Sequence, residues 1–297
     1  MAEDKKRALV TGATGFVGGH LARRLSAEGW EVHVIVRREA TDPLVTPLGT
    51  RGTVHRHTGA TDALAKSIAF ARPDVVFHLA SRFVADHQTS DVERLVGDNL
   101  LFGAQVLDAM RVAGVQRIVN AGSAWQHYQN RDYSPVSLYA AIKQAFVDII
   151  AFYVEAHAFR AVTLELTDTY GPRDTRPKLI PIMLDAEKSG RELSMVRPET
   201  RVDFVHVDDA VEAFMVAGRR LLAPGSAAHD VFAVRSAAPV ALRELFAAWN
   251  RARGTSLRAK WGERPHRARM VLEPWTQGTP LPGWAPRVAL ERGLALL

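Results

Sequence analysis

Tyr139 and Lys143 stand four residues apart in a segment, about 138–156, whose apolar periodicity predicts a helix. At that spacing they share one helix face. An ammonium beside a phenol favours the phenolate and draws its pKa down from about 10. Such a pair is suited to exchanging a proton with a hydroxyl or a ketone. Ser123, just past a strand ending at Ala121, offers a hydroxyl to the same oxygen. The structural alternatives are a packing tyrosine and a turn serine.

A second group of residues has the chemistry of phosphate binding. Thr11-Gly12-Ala13-Thr14-Gly15-Phe16-Val17-Gly18 places three glycines three apart, between a strand at 8–10 and a helix over about 15–27. In dinucleotide-binding turns one glycine makes the tight turn, another lets the backbone approach a pyrophosphate, and a third lets helix pack on sheet. The spacing here is G-x-x-G-x-x-G rather than G-x-G-x-x-G, with the same physics. The helix N-terminus, reached through Gly15, Phe16 and Val17, presents N–H groups and a partial positive charge to the phosphates. The second strand, 32–36, runs into Arg37 and Arg38, the first of them 19 residues after Gly18. An acidic residue there would accept the ribose hydroxyls of NAD(H). Arginine suits a 2′-phosphate, so NADP(H) is the expected cofactor, with solvated loop cations the alternative. Asp62 either reaches the adenine or caps the helix at 63–71.

These groups need a scaffold, and the chain alternates strands with helices through its first two-thirds. Strands are read at 8–10, 32–36, around Val54, and at 75–79, 117–120 and 161–166, with long helices at 92–113 and 138–156. The strands are continuously apolar, which predicts an α/β fold with a doubly wound parallel Rossmann sheet covered on both faces. After Leu166 prolines crowd the chain and loops lengthen, apart from a helix at 240–253. The expected division is a dinucleotide-binding domain over 1–166, to which 201–222 returns, and a smaller irregular α+β substrate lobe over 167–200 and 223–297.

Composition narrows the function classes. The 297 residues are 47% apolar, enough for a full-sized core, and carry a formal charge of +6. The arginines are scattered, so a nucleic-acid partner is not expected. There are no cysteines, which removes disulfides, thiolate metal sites and thiol catalysis. His55 and His57 alternate along a strand without nearby carboxylates, and no metal is expected. His78, in a buried strand, reads as a core histidine. The polar opening, Met1 to Arg7, does not read as a signal peptide, and no stretch is long and apolar enough to suggest a membrane span. A soluble cytoplasmic protein is expected.

Taken in order, Thr11 to Gly18, His78-Leu79-Ala80-Ser81, Ser123, Tyr139-Ala140-Ala141-Ile142-Lys143 and Tyr170-Gly171-Pro172 resemble the extended short-chain dehydrogenase/reductase family. The likeness continues to Pro282-Gly283-Trp284-Ala285-Pro286 and Leu290-Glu291-Arg292-Gly293-Leu294. It implies Ser123, Tyr139 and Lys143 as the catalytic set, with Lys143 also holding the nicotinamide ribose. It implies Leu79, Ala80 and Ser81 beside the cofactor, and a homodimer formed through the helices at 91–113 and 138–156.

Within that family, 4,6-dehydratases follow the catalytic hydroxyl with Asp-Glu; Ala124-Trp125 stands here, which argues against dehydration. The segments 122–128 and 168–178 resemble the abequose-synthase type of nucleotide-sugar 4-ketoreductases. That resemblance implies NADPH-dependent reduction of a 4-keto-6-deoxyhexose linked to CDP or dTDP. An epimerase of the same family and a non-catalytic NADP(H) sensor are the alternatives. Ala124, Trp125, His127 and Asp168 would lie at the sugar, although Trp125 and His127 equally suit packing. Asp168 replaces the Asn of many relatives. Lys178, Arg201 and Arg264, with Arg176, are candidate diphosphate ligands, the alternative for each being a surface charge.

Overall fold

The computed structural model describes residues 5–37, 52–236, 238–265 and 267–297. Strand β1 (Arg7–Thr11) passes through the glycine turn into α1 (Phe16–Ala27), and β2 (Glu31–Arg37), β3 (Gly52–His57), α2 (Thr61–Ala71) and β4 (Val75–His78) follow. Next come α3 (Val92–Val96), α4 (Phe102–Val112), β5 (Arg117–Ser123), α5 (Leu138–His157) and β6 (Arg160–Leu166). The shorter β7 (Asp168–Tyr170), α6 (Leu179–Ser189), β8 (Leu193–Met195), β9 (Arg201–Val202) and β10 (Phe204–His206) lead to α7 (Val207–Leu222) and β11 (His229–Val234). The chain finishes with β12 (Val240–Ala241), α8 (Leu242–Arg253), β13 (Ala259–Trp261) and α9 (Leu290–Ala295).

Seven strands make a parallel sheet in the order β11-β6-β5-β4-β1-β2-β3, the doubly wound arrangement expected from the continuous apolar strands. One layer of core carries α1 and α7 through Leu21, Leu25, Phe77 and Phe214; the other carries α2, α4 and α5 through Leu64, Ile68, Met110, Phe146 and Ile150. Each such buried side chain contributes roughly 1.5–3 kcal/mol, so the strand ends are firmly held. The order reverses between β1 and β4, which opens a crevice at their carboxyl ends where ligands bind in this class of sheet.

Two expectations need correction. Residues 229–234, assigned to the second lobe, form the seventh strand of the main sheet, running from His229 beside Ala161 to Val234 beside Leu166. Helix α7 packs on α1, so the chain emerges at the open β6 edge, where Phe232, Ala233 and Val234 become buried. The single helix read at 92–113 is broken by a π turn at Gly97–Leu101. Asn99 sits in that turn. Its amide donates to the Leu95 and Arg82 carbonyls, and its oxygen accepts from the Ser81 hydroxyl (2.8 Å) and the Arg82 N–H (3.0 Å). The widened turn thereby pins the loop after β4, a common use of π turns at functional sites.

The second lobe packs α6 and α8 around Trp249, Met183 and Leu245, edged by the β8–β13 and β9–β12 pairs. Among the described residues no helix is long and apolar enough to cross a membrane.

Candidate active site

The glycine turn has a bare backbone floor. Gly12 has φ +75°, and a Cβ there would lie 2.5 Å from the Ala80 nitrogen and 2.6 Å from the Leu79 carbonyl carbon. Gly15 is the N-cap of α1, no side chain caps the helix, and its first turn holds no acid. The α1 N-terminus thus retains a positive end without a protein counter-charge, which fits a dinucleotide pyrophosphate. The Thr11 hydroxyl ties β1 to β4, facing His78 Nδ1 at 2.9 Å and accepting the Ala80 N–H at 3.2 Å. His78 is buried, and desolvation, helped by Lys143, pushes it down to about 3, so it is a neutral core histidine.

Thr14 lies in the turn and Val17 in the first turn of α1, and the Phe16 ring packs in the core with the Arg176 guanidinium 4.4 Å above it. Arg37 is exposed at the end of β2; Arg38 lies outside the described residues. Asp62 is exposed in the first turn of α2, but the N-cap is Ala60 and no side chain caps that helix, so the capping role is not found.

Helix α5 begins at Leu138, which puts Tyr139 in its first turn and Lys143 one turn on. The hydroxyls of Ser81 and Ser123 lie beside the Tyr139 hydroxyl and favour its ionised form. Ser123 Oγ accepts the Trp125 N–H at 3.2 Å, which leaves its own proton for the phenol or a substrate oxygen. Lys143 is buried and donates to the Ala121 carbonyl at 2.8 Å, with its nitrogen 5.9 Å from the centre of the Tyr139 ring.

The expected lowering of the phenol by Lys143 is not what this geometry yields. Burial raises Tyr139 above its ordinary value, and Ser81, Ser123 and Arg176 only partly oppose the rise. Tyr139 therefore holds its proton and is set up as a donor. Burial lowers Lys143 to about 8. An amine with a depressed folded-state pKa favours unfolding while it stays charged, so its penalty is full below about 8 and fades toward the unfolded value near 10.5. Lys143→Met should therefore raise stability at neutral pH by about 1–2 kcal/mol while turnover is lost. Urea titration beside an activity assay checks both; a variant no more stable than the parent contradicts the burial argument.

Beside this set a cavity of about 570 Å³ opens between the sheet and the second lobe. Ala124, Trp125, His127, Asp168, Lys178, Arg201 and Arg264 all line it, together with Phe83 and Trp275, which sequence reasoning missed. Phe83 meets both Trp125 and Tyr139 edge-on at 5.1 Å, making an aromatic wall next to the phenol. Lys178 is paired with Asp168 at 2.5 Å and lies 4.5 Å above the Phe83 ring, so its charge is already engaged. Arg176 forks onto both carboxylate oxygens of Asp174 at 2.7 Å and onto the Thr169 carbonyl, so it braces the loop instead of facing a diphosphate. Arg201 donates to the Pro239 carbonyl at 2.5 Å and lies 3.7 Å from Glu273. Arg264 is exposed, and Arg267 reaches over Trp125 at 5.6 Å. Asn99, Gln126 and Glu165 also escaped the sequence reading: Ser123-x-x-Gln126 is a local capping box that could have marked Gln126, whereas Arg82 and Ser81 for Asn99, and His127 for Glu165, are remote in the chain.

The model of the NAD dependent epimerase/dehydratase family matches residues 8–227. The CDP-abequose synthase of Salmonella muenchen is 24% identical, over 99% of this chain and 97% of its own length. The UDP-glucose 4-epimerase of Mycolicibacterium smegmatis is 28% identical, over 97% of this chain and 96% of its own. The crystal structure of Thermotoga maritima UDP-glucose 4-epimerase with UDP-glucose has the same fold, with a TM-score of 0.85 at 22% identity over 97% of this chain and 96% of that one. With three-quarters of its length inside one family model and the sheet, turn and Tyr–Lys helix in that order, the chain belongs to the NAD-dependent epimerase/dehydratase family.

Proposed function

We propose that the protein reduces the 4-keto group of a nucleotide-linked 4-keto-6-deoxyhexose, carried on CDP or dTDP, with NADPH as reductant. The observation that carries this reading is a buried, protonated Tyr139 phenol flanked by Ser81 and Ser123, beside the Phe83–Trp125 wall. A protonated phenol is the form needed to quench an alkoxide. An aromatic wall suits the face of a sugar that has lost hydroxyls. The residues after Ser123, Ala124 and Trp125, carry no proton-transfer group for dehydration. A CDP-abequose synthase aligned over almost the whole of both chains supports the same reading.

When bound, NADPH supplies the hydride to C4. Ser123 hydrogen-bonds the ketone oxygen and polarises it, and Tyr139 gives that oxygen its proton. Lys143 orients the phenol and the cofactor ribose from its place on α5. Gly12, Thr14 and Gly15 to Gly18 would hold the pyrophosphate, Leu79 to Ser81 would line the cofactor, and Arg37 would meet the 2′-phosphate. Arg201 and Arg264 hold the substrate diphosphate, and Asp168 with Lys178 faces the sugar. Leu101 and Val112, beside α4 and at its end, and Phe152 on α5 are exposed and apolar, which supports a homodimer through those helices.

The test is to mix the protein with NADPH and freshly generated ketosugars on CDP, dTDP, GDP and UDP, and to follow loss of the reduced-cofactor absorbance. Oxidation with the CDP or dTDP sugar is expected; none with any of the four overturns the proposal. The 4-epimerase relative favours a second reading, nucleotide-sugar epimerisation, which predicts isomerisation without net NADPH consumption.

A further inference from the structure

A buried ion pair lies against the pocket and takes no part in the proton transfer described above. Glu165 on β6 brings Oε1 to 3.0 Å from His127 Nε2, with the two side chains only 7% and 10% exposed. A pair this far out of water persists only where its neighbours complete it. His127 Nδ1 faces the Arg131 carbonyl at 3.2 Å, and its ring lies on the Trp275 indole, centroids 4.1 Å apart and planes within 14°. The Gln126 amide donates to Glu165 at 3.3 Å and to Gln144 at 2.8 Å, and the Gln126 oxygen accepts the Ser123 N–H at 3.0 Å. Indole, imidazole, carboxylate and amide thus follow one another to the backbone of Ser123, with His127 and Glu165 joined by charge at 3.0 Å rather than by an aligned hydrogen bond.

The two ends of that line meet at the substrate. Trp275 and Pro274 wall the cavity, and the Thr276 N–H is anchored on Asn130 at 2.8 Å. Ser123 faces the Tyr139 phenol. Taking from the proposed function only that Ser123 polarises the substrate carbonyl, we propose that His127 is a positioning residue. Clamped by Glu165 and stacked on Trp275, it ties the seating of the 274–276 wall to the placement of the Ser123 hydroxyl.

The clamp works only while the imidazole is charged. Burial opposes that charge, but Glu165 and the carbonyls of Arg131 and Asp132 outweigh it and raise His127 above its ordinary value. Those are the polar and charged groups that act on the ring; Trp275 covers one face, and Gln126 and Gln144 are neutral. A raised folded-state pKa means that the coupling is complete below the ordinary histidine value and is lost as pH rises through the folded one.

Two measurements test this. The first needs no substrate: NMR titration of the wild-type protein, following the His127 ring and the Ser123 amide. His127 is expected to titrate above the ordinary histidine value, with the Ser123 amide shifting in step, and in Glu165→Gln the titration should fall and the Ser123 response disappear. A His127 that titrates at or below the ordinary value, or a Ser123 amide indifferent to it, overturns the proposal.

The second is turnover. Glu165→Gln and His127→Gln should each lose roughly 10–100-fold in kcat with KM within about threefold, because misplacing a reacting group harms the transition state most. Trp275→Phe, which keeps a flat ring, should retain most of the rate that Trp275→Ala loses. An unchanged kcat, or a rise in KM alone, overturns the positioning role. Should Glu165→Gln not fold, the wild-type titration and the Trp275 pair still decide. A wild type inert on every ketosugar sinks the reductase reading instead, and the titration still judges the clamp.

Discussion

Tyr139→Phe is expected to lower kcat on a nucleotide-linked ketosugar by about 10²–10⁴-fold, the usual worth of a positioned acid, with KM and thermal stability close to the parent. The substitution removes one oxygen. The ring keeps its edge contact with Phe83, Ser81 keeps its bond to Asn99, and Ser123 keeps the Trp125 N–H. What disappears is the phenol proton, next to Ser123, that the proposed mechanism uses. Steady-state kinetics beside a melting curve check this. A variant that retains more than about a tenth of the parent rate would mean that another group delivers the proton. The same variant separates an enzyme from a cofactor-binding sensor, since a sensor should keep partner binding when the phenol is gone.

Gly12→Ala carries the second large expectation, destabilisation of about 2–4 kcal/mol together with loss of dinucleotide binding. Gly12 combines a left-handed backbone, φ +75°, with Leu79 and Ala80 backbone atoms closer than any real Cβ tolerates. Backbone cannot swing aside as a side chain does, so the methyl must push the end of β4 away and spoil the cradle on both sides. Gly190→Ala is the control: φ is +67° there, and nothing lies within 4 Å of the added carbon. It should cost only about 1 kcal/mol, the strain alone. Equal costs for the two variants in urea titrations would contradict the packing argument.

The parts of the site that were legible in the sequence are those whose geometry is local. Tyr139 and Lys143 are one helical turn apart, and the glycine turn needs only a strand before it and a helix after it, so spacing alone predicts their arrangement. The sheet was legible for the same reason, because strands covered on both faces read as continuous apolar runs. Groups set by tertiary packing escaped. Glu165 looks like an ordinary charge in a strand until Gln126 and His127 are brought over it from the end of β5. Trp275 is one tryptophan in a proline-rich stretch until it lands on the His127 ring. The cations misled for a related reason. Charge and chain position suggested Arg176 and Lys178 as phosphate ligands, but Asp174 and Asp168, two and ten residues earlier, engage them. Strand β11 was missed because prolines crowd the chain on both sides of a six-residue segment that only the free β6 edge makes into sheet.

The most direct test of the central claim is isotopic. Wild-type protein is incubated with a CDP- or dTDP-linked 4-keto-6-deoxyhexose and NADPH deuterated at its transferable position, and the recovered sugar is analysed by NMR. The expected result is one deuterium at C4 of the product for each NADPH oxidised, with both slowed at least about 100-fold in Tyr139→Phe. Ketosugar recovered unreduced with its NADPH intact, or a reduced sugar lacking deuterium at C4, would contradict it.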